Sequence, residues 1–215
     1  MNDPHIQQGW HASHALAVAS LYENAFGHKF KAAIPSKAQR IHLLAESFNP
    51  DFSFVVIANE KIVGIAGYQT AQGSLTGGIT LKRLWRVLGF WRGTWAALVL
   101  SLFERKPDPK ELIMDGIVVD PACRGQGLGS ELLSHIITYA RENQYQKVRL
   151  DVIDSNPRAR KLYDEKGFLP VRTDRFPALK WLFWRNHHGL RDTGKLMALS
   201  FFTVHRGVAR QIQPF

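Results

Sequence analysis

Gly125, Gly127 and Gly129 stand at alternate positions just ahead of an amphipathic run, a spacing suited to holding an anion. With no side chains there, successive backbone N–H groups can turn toward one point, and a helix opened by the loop adds the positive end of its dipole. Glycines at this spacing also serve tight turns, so the loop alone does not fix a ligand. Two commoner phosphate loops drop away, because the spacing is not Gly-x-Gly-x-x-Gly and no Gly-Lys-Ser/Thr follows. The single cysteine, Cys123, allows no intramolecular disulfide and no cysteine cluster for zinc; it reads as a small loop residue, and no metal is expected.

The elements that must carry this loop follow from periodicity. Leu112 to Val119 is apolar apart from Asp115 and Gly116, as a central strand buried on both faces would be. Ser130 to Asn143 reads as a helix with Leu132, Leu133, Ile136, Ile137 and Ala140 on one face. Upstream, His11 to Phe26 and Ser36 to Phe48 read as amphipathic helices, with Ser36 an N-cap and Pro50 a stop. Phe52 to Ala58 and Ile62 to Thr70, joined by Asn59-Glu60-Lys61, form a β-hairpin. Downstream come a strand over Lys147 to Ile153, a helix over Asn156 to Lys166 ended by Gly167, and a last strand over Lys195 to Thr203. This order predicts an α/β fold, a mixed central β-sheet flanked by helices on both faces. We expect one domain over 1–215 with a helical insertion at about 74–108.

The apolar share of 45% and charged share of 21% are those of an ordinary globular chain, which excludes extensive disorder. A net charge of +10 favours an anionic partner without choosing among nucleotide-like cofactors, acidic substrates, lipid or nucleic acid. Met1-Asn2-Asp3-Pro4-His5 lacks the basic flank and apolar run of a secretory signal, so a cytoplasmic location is expected.

Two separated motifs sharpen the reading. Val119-Asp120-Pro121, then Arg124-Gly125-Gln126-Gly127-Leu128-Gly129 and Ser130-Glu131-Leu132-Leu133, resembles the acetyl-CoA motif of the GNAT (Gcn5-related N-acetyltransferase) superfamily. Asn156-Pro157-Arg158-Ala159-Arg160-Lys161-Leu162-Tyr163 through Gly167-Phe168 is similar to that family's Asn-x-x-Ala-x-x-Leu-Tyr-x-x-x-Gly-Phe signature. The resemblance covers Leu112 to Phe168 well and the hairpin in outline. It implies acetyl transfer from acetyl-CoA to a primary amine of a small molecule or peptide, by direct attack in a ternary complex. It further implies that the amides of Arg124 to Gly129 grip the pyrophosphate; the Arg124 side chain would add charge there or stand solvated at the helix start. The strand at Ile117, Val118 and Val119 would pair with the pantetheine arm and offer an N–H to the developing oxyanion. Asn156 would cap its helix or touch the cofactor arm. Tyr163 sits at the family position whose phenol faces the sulfur, so the resemblance makes it the acid for the departing thiolate; a core aromatic is the alternative.

An amine must be neutral to attack, so a base is needed as well. By two-residue alternation Asp115 shares a side with Ile117 and Val119, and some family members carry an acidic base on this strand. Glu111, His187 and His188 are weaker candidates. Other readings remain, namely a non-catalytic acyl-CoA-binding regulatory module and an acyltransferase on a membrane surface.

Leu81 to Phe103 departs most from the family pattern. Its helical stripe holds Leu81, Leu84, Trp85, Leu88, Trp91, Trp95, Leu98, Val99 and Leu102, with Lys82, Arg83 and Arg86 beside it. Arg86 and Arg92 interrupt the run, and Gly93 to Phe103 falls short of the ~20 residues a spanning helix needs. The stripe could pack on the sheet or in a homodimer, wall an acceptor pocket, or lie in the plane of an anionic bilayer. A second basic and aromatic stretch, Phe176 to Leu190, reads as a core-facing helix with charged edges, and no nucleic-acid partner is expected.

Overall fold

The computed structural model describes residues 3–101, 107–153, 157–175 and 198–205. Among these residues eight strands form one mixed sheet: β1 His5–Gln8, β2 Ser53–Ala58, β3 Lys61–Thr70, β4 Gly73–Ser74, β5 Glu111–Val119, β6 Lys147–Ile153, β7 Leu169–Arg175 and β8 Ala198–His205. The strands lie in the order β1-β2-β3-β5-β6-β8-β7, with β4 added against β3. Only β5 and β6 run parallel; every other described pair is antiparallel. The helices are α1 Ala15–Phe30, α2 Lys37–Ser47, α3 Leu81–Leu88, α4 Phe90–Ser101, α5 Leu128–Glu142 and α6 Pro157–Glu165.

Alternation along the strands sorts the core into two faces. Phe54, Val56, Ala66, Tyr68, Leu112 and Met114 point to the face covered by α5, whose Leu128, Leu132, Leu133, Ile136, Ile137 and Ala140 complete that cluster. Val55, Ile65 and Val118 point to the opposite face, against Val18, Tyr22 and Leu44 of α1 and α2. The hairpin turn is tight because Asn59 and Glu60 both take positive φ, 48° and 61°, which matches the right-handed twist of the flanking strands.

Helix α2 starts where expected, with the Ser36 hydroxyl accepting from Gln39 N at 3.4 Å. A buried ion pair joins it to α1: Arg40 donates through Nε (2.9 Å) and Nη2 (2.6 Å) to Glu23 Oε1, and through Nη1 to the Ile34 and Pro35 carbonyls. Removing one member of such a pair leaves an uncompensated charge in the interior. Arg40→Met is therefore expected to cost about 3–5 kcal/mol of stability. A denaturant midpoint near that of the wild-type protein would show that the pair is wetted in solution.

Three strands escape the sequence pattern, the two-residue β4 among them. β1 is a short polar edge strand, and β7 contains Pro170 at a register irregularity between Pro170 and Arg172, where a missing N–H is tolerated. The expected helix over Leu81 to Phe103 is instead two helices, broken where the chain turns at Gly89 with φ 79°. Gly93 lets α4 lie close on α3, since a Cβ there would stand 2.9 Å from the Leu84 backbone. The predicted stripe accordingly splits. Leu84, Leu88, Ala96 and Val99 pack with Ala33, Ile34 and Leu43, whereas Leu81, Trp85, Trp91, Trp95 and Leu98 are exposed. Leu102 lies outside the described residues.

Candidate active site

The site begins as a defect in the sheet. β5 and β6 pair only through Glu111, Leu112 and Ile113 against Lys147, Val148 and Arg149. Beyond that point β5 runs on to Val119 and β6 to Ile153 with no ladder between them, so an edge of β5 from Met114 onward has no partner strand among the described residues. Backbone groups in mid-sheet must be satisfied by something, and an extended ligand arm can take the place of a strand.

The cause of the parting is local. Gly67 pairs with Gly116 and Tyr68 with Met114, so Asp115 is the extra residue of a β-bulge. The bulge interrupts the alternation expected through Asp115. Leu112 and Met114 face α5, and after the bulge Ile117 and Val119 pack on that same face, so the two-residue count does not carry through Asp115. Phe26 of α1 closes over Gly116, where an added Cβ would stand 2.6 Å from Phe26 Cζ. Asp115 is half-buried.

At the end where the strands remain joined, Glu111 is almost wholly buried and lies 3.5 Å from Lys147 Nζ and 3.4 Å from Arg149 Nη1. One carboxylate thus holds two cations of the adjacent strand. Glu111, considered above as a weak base candidate, is committed to holding β5 on β6 at the closed end of the opening. Sequence reasoning missed Lys147 and Arg149 in this role. Their signal was two cations spaced by two on an otherwise apolar strand, which places both beside one neighbour.

β5 leads through a short 3-10 turn, Pro121–Cys123, into the glycine loop. Asp120 caps that turn, its carboxylate accepting from Ala122 N at 2.9 Å. Arg124 Nε donates to the Val119 carbonyl at 3.2 Å, which fixes the guanidinium at the strand's end. Gly125 and Gly127 take φ of 82° and 81°, and Gly127 is the N-cap of α5. Arg124 to Gly127 are exposed, while Leu128 is buried and anchors the helix start in the core. Ser130 N and Glu131 N donate to the Gly127 carbonyl, at 2.8 and 3.1 Å. Among the described residues, the amides of Gly125, Gln126, Gly127, Leu128 and Gly129 find no acceptor. Five consecutive free donors at a helix N-terminus suit a pyrophosphate.

Tyr163, on α6, joins the cluster that includes Met114 and Leu128 and against which Ile117 and Val119 pack. Its carbonyl accepts from Lys166 N at 3.1 Å and Phe168 N at 3.0 Å, which ends the helix, and its ring meets Phe168 edge-on at 5.9 Å. A further tie, Lys166 Nζ donating to Ser134 Oγ at 3.1 Å, holds the end of α6 to α5. The Tyr163 hydroxyl has no hydrogen-bond partner among the described residues. Burial pushes its pKa up to about 12, so the phenol keeps its proton across the neutral range. Asn156, His187, His188 and the stretch from Phe176 to Leu190 lie outside the described residues.

Comparison with known proteins agrees with this geometry. The family model "Acetyltransferase (GNAT) family" matches residues 16–168. The mycothiol acetyltransferase of Beutenbergia cavernae is 36% identical over 75 residues, which is 35% of this chain and 25% of that protein, so the chain spans about a quarter of that relative's length. A crystal structure described as an acetyltransferase superposes with TM-score 0.59 at 22% identity, covering 94% of this chain and 98% of that one. The structure of yncA from Salmonella typhimurium, solved with its cofactor acetyl-CoA, gives TM-score 0.55 at 18% identity, covering 95% and 94%. The ribosomal-protein-S18-alanine N-acetyltransferase from Escherichia coli gives 0.54 at 16% identity, covering 94% of each chain. At these identities the structural likenesses show the fold.

Proposed function

Because the chain belongs to the acetyltransferase (GNAT) family, we propose that it is an N-acetyltransferase that carries an acetyl group from acetyl-CoA to a primary amine of a small molecule or peptide. The observation that carries this reading is the opening between β5 and β6, which ends at the unpaired amides of Gly125 to Gly129. The free edge of β5 would receive the pantetheine arm strand-fashion, and the loop amides would take the pyrophosphate, with Arg124 beside them.

In this reading each residue has a chemical task. A backbone N–H near Ile117, Val118 and Val119 stabilises the thioester oxygen as it gains charge, and the fixed strand makes that donor preorganised. Asp115, on the bulge, accepts the proton of the attacking amine directly or through a water. Tyr163 donates its proton to the sulfur as the C–S bond breaks. The balance closes: the amine loses one proton to the base, the thiolate gains one from the phenol, and an amide and a free thiol result.

Isothermal titration with acetyl-CoA, beside a thiol-release assay over a panel of amines and peptides, tests the proposal. Binding with turnover on one class supports it and names the acceptor. Absence of binding removes it.

A further inference from the structure

The surface of the α3–α4 hairpin is not absorbed by acetyl transfer. Its inner face is used, with Leu84, Leu88, Ala96 and Val99 buried against α2 and the linker before it. Its outer face is apolar and bare: Trp91 is 82% exposed, Leu98 60%, Phe90 54%, Trp95 50% and Leu81 44%. Trp91, Trp95 and Leu98 follow one another at helical steps of four and three, so they share a face of α4. Phe90 lies 5.1 Å from Trp85 and 5.2 Å from Trp91 between ring centroids, and Trp85 Nε1 donates to Thr94 Oγ1 at 3.0 Å. The rings are thus held as one platform across both helices. Monomeric surfaces rarely leave such a patch without a partner.

Charge selects the partner. Lys82, Arg86 and Arg92 are exposed around the platform, and among the described residues none has a carboxylate partner. From Lys61 to Phe103 the chain contains no Asp or Glu. A two-fold contact with a second copy would bring these cations against their own images with no acid to offset them. Stacked nucleic-acid bases would use the rings but not the aliphatic Leu81 and Leu98, which suit acyl chains. No described helix is long and apolar enough to cross a membrane.

We infer that the outer face of α3–α4 docks the protein, in the plane of the interface, on an anionic lipid bilayer. Trp85, Phe90, Trp91, Trp95 and Leu98 enter the boundary between headgroups and acyl chains. Lys82, Arg86 and Arg92 lie at the level of the phosphates, their aliphatic stems covering apolar surface.

Co-sedimentation of the full chain with phosphatidylcholine vesicles, with and without phosphatidylglycerol, tests this. Binding is expected on the anionic vesicles, falling with salt, with a blue shift of tryptophan emission. Trp91→Glu should weaken partitioning roughly ten-fold or more, by taking an indole out of the bilayer boundary. Arg86→Gln and Arg92→Gln should each weaken it about five-fold. All three positions are exposed, so unchanged thermal unfolding and acetyl-CoA binding serve as the control that the fold is intact. No sedimentation with anionic vesicles at low salt would overturn the inference, as would variants that bind like the parent chain. A dimer broken by Trp91→Glu, or an oligonucleotide complex dependent on Trp91, in protein that ignores vesicles, would assign the face to those partners instead.

Discussion

Gly127→Val is expected to weaken acetyl-CoA binding by roughly a hundred-fold or more while leaving the protein folded. Gly127 takes φ 81° at the head of α5, a conformation that a β-branched residue reaches only with strain. The cost to the fold should stay near 1–2 kcal/mol, because a Cβ at this position meets nothing within 4 Å. Relief of that strain would rotate the neighbouring peptides and turn the amides of Gly127 and Leu128 away from a shared anion. Two charge-assisted hydrogen bonds, each worth about 1.5–3 kcal/mol, would then be lost. Titration calorimetry reads the affinity and thermal unfolding reads the fold. A variant that binds acetyl-CoA as the parent does would remove the loop from the site.

Tyr163→Phe is expected to lower kcat by about 10²–10⁴-fold with little change in acetyl-CoA affinity, since the lost hydroxyl acts only as the sulfur departs. The ring would remain to pack on Phe168, so the core should not collapse. An unchanged kcat would return Tyr163 to a purely structural role.

The raised phenol pKa also sets a sign. It lies at about 12 in the fold against an ordinary value of 10, so the native state holds this proton more tightly than the unfolded chain does. The associated stability is complete below about pH 10 and is lost as pH rises from there through about pH 12. In an alkaline titration of stability, Tyr163→Phe should therefore fall less steeply over that window than the parent protein. No ionisation of this phenol should shape the rate profile near neutrality.

What could be read from the sequence was what depends on neighbours along the chain. The glycine loop, the helix it opens with its one apolar face, and the hairpin with its tight turn all lie within short windows. Their residue types fix their backbone geometry almost wherever they occur. The second motif, ending at Gly167-Phe168, was equally local, and Tyr163 was found on it by resemblance. The boundaries of β6 were read without error for the same reason, as an apolar strand between turns.

The rest needed the tertiary structure, because it concerns pairing across distance. Nothing along β5 announces a bulge at Asp115; the extra residue exists only relative to β3, and it breaks the alternation that tied Asp115 to the side of Ile117 and Val119. The parting of β5 from β6 is a missing ladder, which no single segment can encode. Glu111 became a clamp because the parallel register set Lys147 and Arg149 beside it. The stripe on the inserted segment was visible as a period, yet which half of it would be buried depended on α2 and the linker beneath. The sequence by itself determined most of the elements and the glycine loop, through local conformational preference. The opening beside that loop, the bulge at Asp115 and the aromatic face left bare were decided only when distant segments met.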